Sequence, residues 1–194
     1  SIISGLAELG CFGLSIPERY GGTATGTTLD NYGMVIATEE LSRASLSIGG
    51  SLITRPEILA RAIENGGTDD QKQRLLPLIA SGACMSAVAV TEPDFGSDVS
   101  GITTNARRLP NGDWEINGVK TWCTFAGRAD LLMVLARTNP DTSVGHRGLS
   151  IFVVEKDRAK GHSFTFRQDH GGKLEGRAIP TLGYRGMHSF EISF

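Results

Sequence analysis

The sequence predicts an α+β protein in which an N-terminal α-helical domain, residues 1–83, precedes an antiparallel β-barrel domain, residues 84–194. Apolar residues recur at helical spacing before Ser81, and short runs rich in valine and aromatic residues follow Cys84. Glycine accounts for 25 of the 194 residues without a collagen period, which indicates turns between closely spaced elements. We expect the chain to be part of a longer polypeptide.

Turn and capping signals divide the N-terminal part into helices. Residues 2–10 end in a glycine, and residues 47–65 read as a helix that is interrupted at Pro56. Thr68 and Gln71 have the spacing of a capping box, in which each side chain accepts from the other residue's backbone N–H. The sequence therefore predicts a helix over 71–80 that begins at this box.

The second part contains at least seven candidate strands separated by turn residues. The turns at Pro110–Asp113 and Asn117–Gly118 predict a hairpin and a further reversal. Residues 171–176 read as a loop. The predicted strands are residues 85–91, 102–109, 114–117, 119–125, 131–138, 149–155, 163–167 and 188–194.

Several function classes are disfavoured by composition and motif searches. The net charge is -2 without a basic block, so nucleic acid is a poor candidate partner, and no apolar run reaches membrane-spanning length. Neither a Rossmann glycine fingerprint nor a phosphate-binding P-loop occurs. The four histidines lack metal-site spacing, so no metal is predicted.

The three cysteines are odd in number and widely separated. Cys11, Cys84 and Cys123 each have apolar neighbours, which predicts buried free thiols in a reducing compartment. A cytoplasmic location is the corresponding expectation.

Two segments carry candidate ligand-binding residues. In residues 88–98 a strand runs into a turn with two hydroxyls, Thr91 and Ser97, and a glycine, Gly96, where backbone N–H groups can face a phosphate or a ring carbonyl. In residues 120–124, alternation places Trp122 and Thr124 on one strand face, where an indole and a hydroxyl could flank a flat ring. From local chemistry alone, an ordinary turn and a core tryptophan remain open alternatives.

Taken together, these segments resemble the acyl-CoA dehydrogenase family. Residues 91–98 match its T-E-P-x-x-G-S-D signature, and residues 116–122 match its I-N-G-x-K-x-W pattern. Four further blocks are similar to family segments in the same order, residues 13–22, 39–43, 67–72 and 182–189.

The resemblance implies that FAD binds in an extended form without a Rossmann fold, between the barrel and a C-terminal four-helix domain that is absent from this chain. It places Ser97 at the acyl-CoA, Trp122 against the flavin, Thr124 near flavin N5 and, as a weaker transfer, Thr181 near the CoA part. The implied cofactor-binding residues are Val88, Val90, Thr91, Gly96, Ser97, Trp122, Cys123 and Thr124.

The implied reaction is α,β-dehydrogenation of a fatty acyl-CoA, with electrons passing to an electron-transfer flavoprotein. The family's catalytic glutamate is expected beyond residue 194, so neither Glu92 nor Glu175 is assigned as the base. A homodimer or homotetramer is implied. An acyl-CoA oxidase using O2 and a non-catalytic binding module on the same fold are the alternatives.

One departure from the family pattern follows Thr124. Many members have Asn-Gly or Ser-Gly there, whereas this chain has Phe125-Ala126-Gly127. A bulky Phe125 is expected to narrow the site or change its polarity.

Overall fold

The computed structural model describes residues 1–184 and 186–194, with the side chains of Thr28 and Leu29 also outside the description. Arg185, part of the predicted block at 182–189, therefore lies outside the described residues. The chain divides into two compact units, Ser1–Ser86 and Ala87–Phe194.

The first unit is helical. Its buried side chains include Phe12, Ile16, Leu59 and Leu76. Its α-helices are α1 (Ile2–Glu8), α2 (Thr28–Ala44), α3 (Thr54–Gly66) and α4 (Asp69–Ala80), with a short π-helix at Ile48–Leu52.

The capping box that begins α4 is confirmed. The Thr68 hydroxyl accepts from the Gln71 N–H at 3.2 Å, and the Gln71 side chain accepts from the Thr68 N–H at 2.9 Å. Asp69 and Asp70 occupy the first turn, where a negative charge is favourable beside the exposed N–H groups.

The predicted interruption at Pro56 is wrong. The helical path changes from π to α at Ile53, and Pro56 lies inside the first turn of α3. A proline costs nothing there, because the first N–H groups of a helix have no intrahelical acceptor.

The second unit contains nine strands in the described residues. They are β1 (Ser86–Ala89), β2 (Asn105–Arg108), β3 (Trp114–Asn117), β4 (Val119–Thr124), β5 (Leu131–Arg137), β6 (Leu149–Glu155), β7 (Ser163–Arg167), β8 (Lys173–Ala178) and β9 (Ser189–Ser193). The β1 strand begins at the last residue of the first unit.

The strands form two sheets and close no barrel within residues 1–184 and 186–194. One sheet has the order β1-β5-β2-β3 with β6 paired to β5, and the other has the order β4-β9-β8-β7. The predicted α+β order of a helical part followed by a sheet part is confirmed. The predicted antiparallel barrel is corrected in two respects, because the described strands close no barrel and because β2 and β5 pair in parallel through Asn105 and Arg137.

Strand β8 was predicted as a loop, and this prediction is wrong. Lys173, Glu175 and Arg177 are exposed while Leu174 and Gly176 are buried, so the strand alternates with only one large apolar side chain. A Cβ on Gly176 would overlap the Phe164 ring of β7, which explains a glycine inside a strand.

Candidate functional site

The first predicted segment leaves β1 and forms a tight turn. Reciprocal backbone hydrogen bonds join Glu92 and Phe95, at 2.9 Å from the Glu92 N–H and 3.3 Å from the Phe95 N–H. Val88, Val90 and Thr91 are half-buried before this turn, whereas Gly96 and Ser97 are exposed after it. The turn thus presents a small residue and a hydroxyl to solvent.

Glu92 is buried beneath this turn and has a structural set of partners. Its carboxylate accepts from the Thr103 N–H at 2.7 Å, the Thr103 hydroxyl at 2.8 Å and the Thr104 N–H at 2.8 Å. Burial opposes ionisation of the carboxyl, but these bonds and the Lys120 ammonium outweigh it and lower its pKa to about 2.

Lys120 of β4 joins the two predicted segments. Its ammonium has no exposed surface and donates to the Val90 carbonyl and to the Glu92 carboxylate, both at 2.9 Å. Beside it, the Thr121 N–H donates to the Thr91 carbonyl at 2.8 Å. Burial lowers the pKa of Lys120, and the Glu92 carboxylate opposes that shift. Two segments about thirty residues apart in sequence therefore form one wall.

Trp122 departs from the alternation expected of a strand. The pairing of β4 with β9 shifts register between Lys120 and Cys123, and Trp122 has a left-handed φ of 56°. Its side chain is 56% exposed. A bulky residue with positive φ is strained, and such strain persists where the surrounding structure imposes it. The bulge therefore holds the indole outward. Because the register shifts here, the simple alternation that predicted a shared face for Trp122 and Thr124 does not apply, and Thr124 is buried where Trp122 is exposed.

The two residues after Trp122 are buried. The Thr124 hydroxyl lies 3.0 Å from the Ser189 hydroxyl of β9. Cys123 has no exposed surface, and its thiol is 3.6 Å from the Thr121 carbonyl. The Cys123 side chain is thus enclosed by the protein, and its backbone adjoins the bulge. Cys123 and the half-buried Cys11 and Cys84 form no disulfide.

Phe125 lies in a left-handed conformation directly after Thr124. Its φ is 70°, its ring is buried, and its N–H donates to the His188 carbonyl at 2.8 Å. The ring lines a small pocket of about 120 Å³ with Arg128 and Met187. The bulk expected from the sequence is therefore directed inside the domain.

Gly96 has no internal reason to be glycine. A Cβ built there meets nothing within 4 Å, whereas one on Gly118 would overlap the Thr104 side chain, and Gly118 also has a positive φ of 151°. Gly118 is therefore required by the fold. Contacts among the described residues therefore do not require a glycine at position 96, and the turn is open to the close approach of another group.

Thr181 lies on a different wall from these segments. Its hydroxyl donates to the Gly183 carbonyl at 2.7 Å, and it lines an open pocket with His162, Arg177 and His188. Of the predicted site residues, those at 88–97 and 122–124 are joined through Lys120 and Thr121, and Thr181 belongs to the separate pocket.

The structure gives Glu175 different surroundings from those that the sequence predicted. It lies in β8 rather than in a loop, and its carboxylate is 2.7 Å from the Lys173 ammonium at an exposed position. Glu92 is held ionised by four hydrogen-bond donors, which makes it a poor proton acceptor.

Sequence reasoning did not identify the Lys120–Glu92 pair. The available signal was a lysine within the apolar strand pattern of residues 119–125, because a charge at such a position needs a buried partner. The sequence did not indicate which acid would supply it.

The chain matches known proteins along its length. The family described as acyl-CoA dehydrogenase, middle domain, matches residues 87–194, and the family described as acyl-CoA dehydrogenase, N-terminal domain, matches residues 1–83. Within the described residues, no helix is long and apolar enough to span a membrane.

Individual relatives give the same result. (2S)-Methylsuccinyl-CoA dehydrogenase of Cereibacter sphaeroides is 43% identical over 100% of this chain and 33% of its own length. Mitochondrial isovaleryl-CoA dehydrogenase of Solanum tuberosum is 33% identical over 97% of this chain and 41% of its own length. The structure of butyryl-CoA dehydrogenase from Megasphaera elsdenii superposes with a TM-score of 0.81 at 28% identity, covering 100% of this chain and 46% of that one. The chain spans less than half the length of each of these proteins, and it belongs to the acyl-CoA dehydrogenase family.

Proposed function

We propose that this chain supplies the flavin-facing wall of an FAD-dependent enzyme that dehydrogenates fatty acyl-CoA thioesters between the α- and β-carbons. The observation that supports this is the junction of the residue 90–97 turn with the Trp122 bulge through Lys120. An exposed indole, two hydroxyls and an exposed glycine turn are thereby presented by one preorganised framework. Members of this family are FAD flavoproteins.

The residues present fit a flavin ring. The indole of Trp122 offers an apolar face at the surface, and the carbonyls of Val90 and Thr91 already accept from Lys120 and Thr121. Polar contacts from these two residues to a flavin would therefore come from N–H groups and the Thr91 hydroxyl. Val88 is half-buried at the adjoining strand end, and Ser97 lies beyond the turn.

When bound, FAD supplies the hydride acceptor at its N5 atom. Thr124 is proposed to donate its hydroxyl proton towards that atom, and the Ser189 hydroxyl at 3.0 Å can donate to Thr124 in turn, which supports this role. This hydroxyl pair is buried, so its orientation is kept without competition from water. Ser97 is proposed to contact the acyl-CoA, and Thr181 the CoA part.

The proton acceptor is proposed to be a glutamate outside residues 1–194. Glu92 is held ionised by four hydrogen-bond donors, and Glu175 forms an exposed ion pair with Lys173. An acid brought to the opposite side of the substrate would remove the α-proton while the β-carbon gives up its hydride. An electron-transfer flavoprotein is the proposed acceptor of the electrons, and a homo-oligomer is the proposed assembly.

The absorption spectrum of the purified full-length protein tests the function. We expect flavin bands that bleach anaerobically when a fatty acyl-CoA is added, without peroxide release in air. A protein that cannot take up FAD would instead support a binding module, and acyl-CoA-dependent peroxide production would support an oxidase.

The role of Thr124 is tested by Thr124→Val. We expect slower flavin reduction by acyl-CoA in stopped-flow absorbance with an unchanged circular dichroism spectrum, because valine keeps the shape but removes the donor. Thr165→Val, at an exposed position of β7, is the control and should reduce at the wild-type rate. Unchanged reduction kinetics in Thr124→Val would contradict the assignment.

A further inference from the structure

Arg137, the last residue of β5, carries a buried positive charge. The residue is 7% exposed, and among the described residues no carboxylate pairs with it. Its Nε atom donates to the Ile102 carbonyl at 3.2 Å, and its Nη2 atom donates to the Ser100 carbonyl at 2.5 Å. A buried charge without a counter-ion is costly, which points to a specific use of these two contacts.

The guanidinium is enclosed by the protein on its remaining side. Its Nη1 atom is buried and has no hydrogen-bond partner among the described residues. Gly148 packs against this nitrogen, since a Cβ built on that glycine would lie 3.1 Å from it. No external ligand can therefore reach the charge of Arg137 directly, and the residue acts through the backbone that it holds.

That backbone, residues 100–104, is held by two residues of opposite charge. Arg137 donates three hydrogen bonds to its carbonyls, two from the guanidinium and one from the Arg137 N–H to the Thr104 carbonyl at 2.8 Å. Glu92 accepts from the N–H groups of Thr103 at 2.7 Å and Thr104 at 2.8 Å. A cation thus holds the carbonyls of this stretch and an anion holds its N–H groups, so its path is fixed on both sides.

The stretch directly continues the turn that carries Ser97. A short 3-10 helix covers Val99–Gly101, and the Ser100 hydroxyl donates to the Asp98 carboxylate at 2.6 Å. On the other side of Ser97, the reciprocal backbone bonds described above fix Phe95. The exposed Ser97 therefore lies between two fixed points, and Arg137 supplies the second of them.

We propose that Arg137 is a positioning residue for the acyl-CoA, because it holds the turn that presents Ser97 and so sets the affinity for the thioester without contacting it. The proposal rests on the proposed function, in which Ser97 contacts the acyl-CoA. The flavin-facing wall has its own connection through Lys120, so the limiting rate of flavin reduction does not depend on the guanidinium. Loss of a contact that is equally strong in the ground state and the transition state raises KM and leaves kcat unchanged.

Anaerobic stopped-flow reduction of the full-length, FAD-loaded protein tests the proposal, with butyryl-CoA, isovaleryl-CoA and (2S)-methylsuccinyl-CoA as probes. Arg137→Lys keeps the charge but loses the planar fork of donors. We expect the thioester concentration for half-maximal reduction to rise about tenfold, the size of one lost hydrogen bond, at an unchanged limiting rate and FAD content. Arg107→Lys, in an exposed ion pair on β2, is the control and should behave as the wild type.

A double-mutant cycle with Ser97→Ala separates positioning from a merely structural role. If Arg137 acts through Ser97, then Arg137→Lys has no further effect on the half-maximal concentration once the Ser97 hydroxyl is absent. The same increase in both backgrounds would overturn the proposal. So would an unchanged half-maximal concentration in Arg137→Lys, or a parallel loss of FAD and of the limiting rate.

Hydrogen exchange distinguishes failure of this proposal from failure of the proposed function. Mass spectrometry of peptides spanning residues 95–102 follows the Gly101 N–H, which is bonded to the Asp98 carbonyl at 3.1 Å. We expect faster exchange in Arg137→Lys than in the wild type and in Arg107→Lys, with no thioester present. No reduction of the wild type by any of the three thioesters would contradict the proposed function. Reduction of the wild type together with unchanged exchange in Arg137→Lys would overturn the positioning role alone.

Discussion

At the scale of single residues, the buried Lys120–Glu92 pair determines the geometry of the candidate site. Removing two charges from water is expensive, and it is tolerated here because Glu92 receives four hydrogen bonds and Lys120 donates two that are described. The pair orders the turn from which Gly96 and Ser97 project. The Lys120–Glu92 pair therefore fixes the position of the turn in addition to stabilising the fold.

Glu92→Gln is expected to lower the free energy of unfolding by about 3–5 kcal/mol, because Lys120 would keep a buried charge without its counter-ion. Urea denaturation followed by circular dichroism measures the change. Glu115→Gln, which removes an exposed ion pair with Arg107, is the matched control and should leave the midpoint unchanged. A Glu92→Gln midpoint equal to that of Glu115→Gln would contradict a supporting role.

The sequence predicted the positions of the turn and of the tryptophan but not what joins them. Residues 88–98 and 120–124 were recognised through local chemistry and the family resemblance. The Lys120–Glu92 contact spans 28 positions, and nothing in either segment indicates the other as its partner. The left-handed bulge at Trp122 could not be predicted from the sequence either, because it depends on how β4 pairs with β9.

At the scale of elements, local signals proved sufficient where they are reciprocal. The Thr68–Gln71 box was recognisable because both partners lie within four residues, and α4 begins inside it at Asp69, two residues before the predicted start. Strand β8 was missed because its side chains are mostly polar and its buried positions include a glycine. Its assignment requires knowledge of Phe164 on the neighbouring strand.

Thr68→Ala should lower the free energy of unfolding by about 1 kcal/mol, since one donor at the start of α4 loses its acceptor. Chemical denaturation of the variant measures it. Thr68→Ser keeps the accepting hydroxyl and should match the wild type. Equal losses in both variants would show that the methyl group, and not the cap, matters.

Lys156, which follows β6, holds the turn after Phe125. Its ammonium donates to the carbonyls of Gly127, Ala129 and Asp157 at 3.2, 2.8 and 2.8 Å. The Gly127 carbonyl also accepts from the Ala159 N–H at 2.7 Å, so the ammonium adds a second donor there and supplies a charged donor to the other two carbonyls. Burial lowers the pKa of Lys156 to about 8.

Lys156→Met is expected to lower the free energy of unfolding at pH 7 by about 2 kcal/mol, because buried carbonyls lose a charged donor. Between pH 8 and the ordinary value of 10.5, the unfolded chain binds more protons at this lysine than the folded chain. Wild-type stability therefore gains with rising pH in that window relative to the variant. Denaturant titrations at pH 7, 8, 9 and 10 measure this difference, with Lys160→Met as the exposed control.

At the scale of the whole molecule, the order of a helical part followed by a sheet part was predictable from the change in hydrophobic period. Strand order was not, because β5 pairs with β1 and β2 as well as with the following strand β6, and the contacts with β1 and β2 join residues far apart in the chain. Separation into two sheets likewise follows from long-range pairing. Identical local patterns would have been compatible with a closed barrel.

The acid limb of the stability profile is a property of the whole molecule with one identifiable contributor. Glu92 has its pKa lowered from 4.5 to about 2, so the folded state loses this contribution as the pH falls through that interval. Wild type should therefore lose more stability between pH 4.5 and 2 than Glu92→Gln does. Thermal denaturation at pH 5, 4 and 3 measures the two slopes, and parallel slopes would contradict the assignment.

The hydrogen bonds of Lys120 also affect how quickly FAD can bind. A loop that must be ordered by its ligand slows productive encounter, whereas the turn at residues 90–97 is already joined to β4 by two hydrogen bonds from Lys120 and one backbone hydrogen bond. Apoprotein in which this tie is intact should rebind FAD with a rate set by diffusion and docking. A loosened tie should appear as a slow, concentration-independent phase in flavin fluorescence quenching.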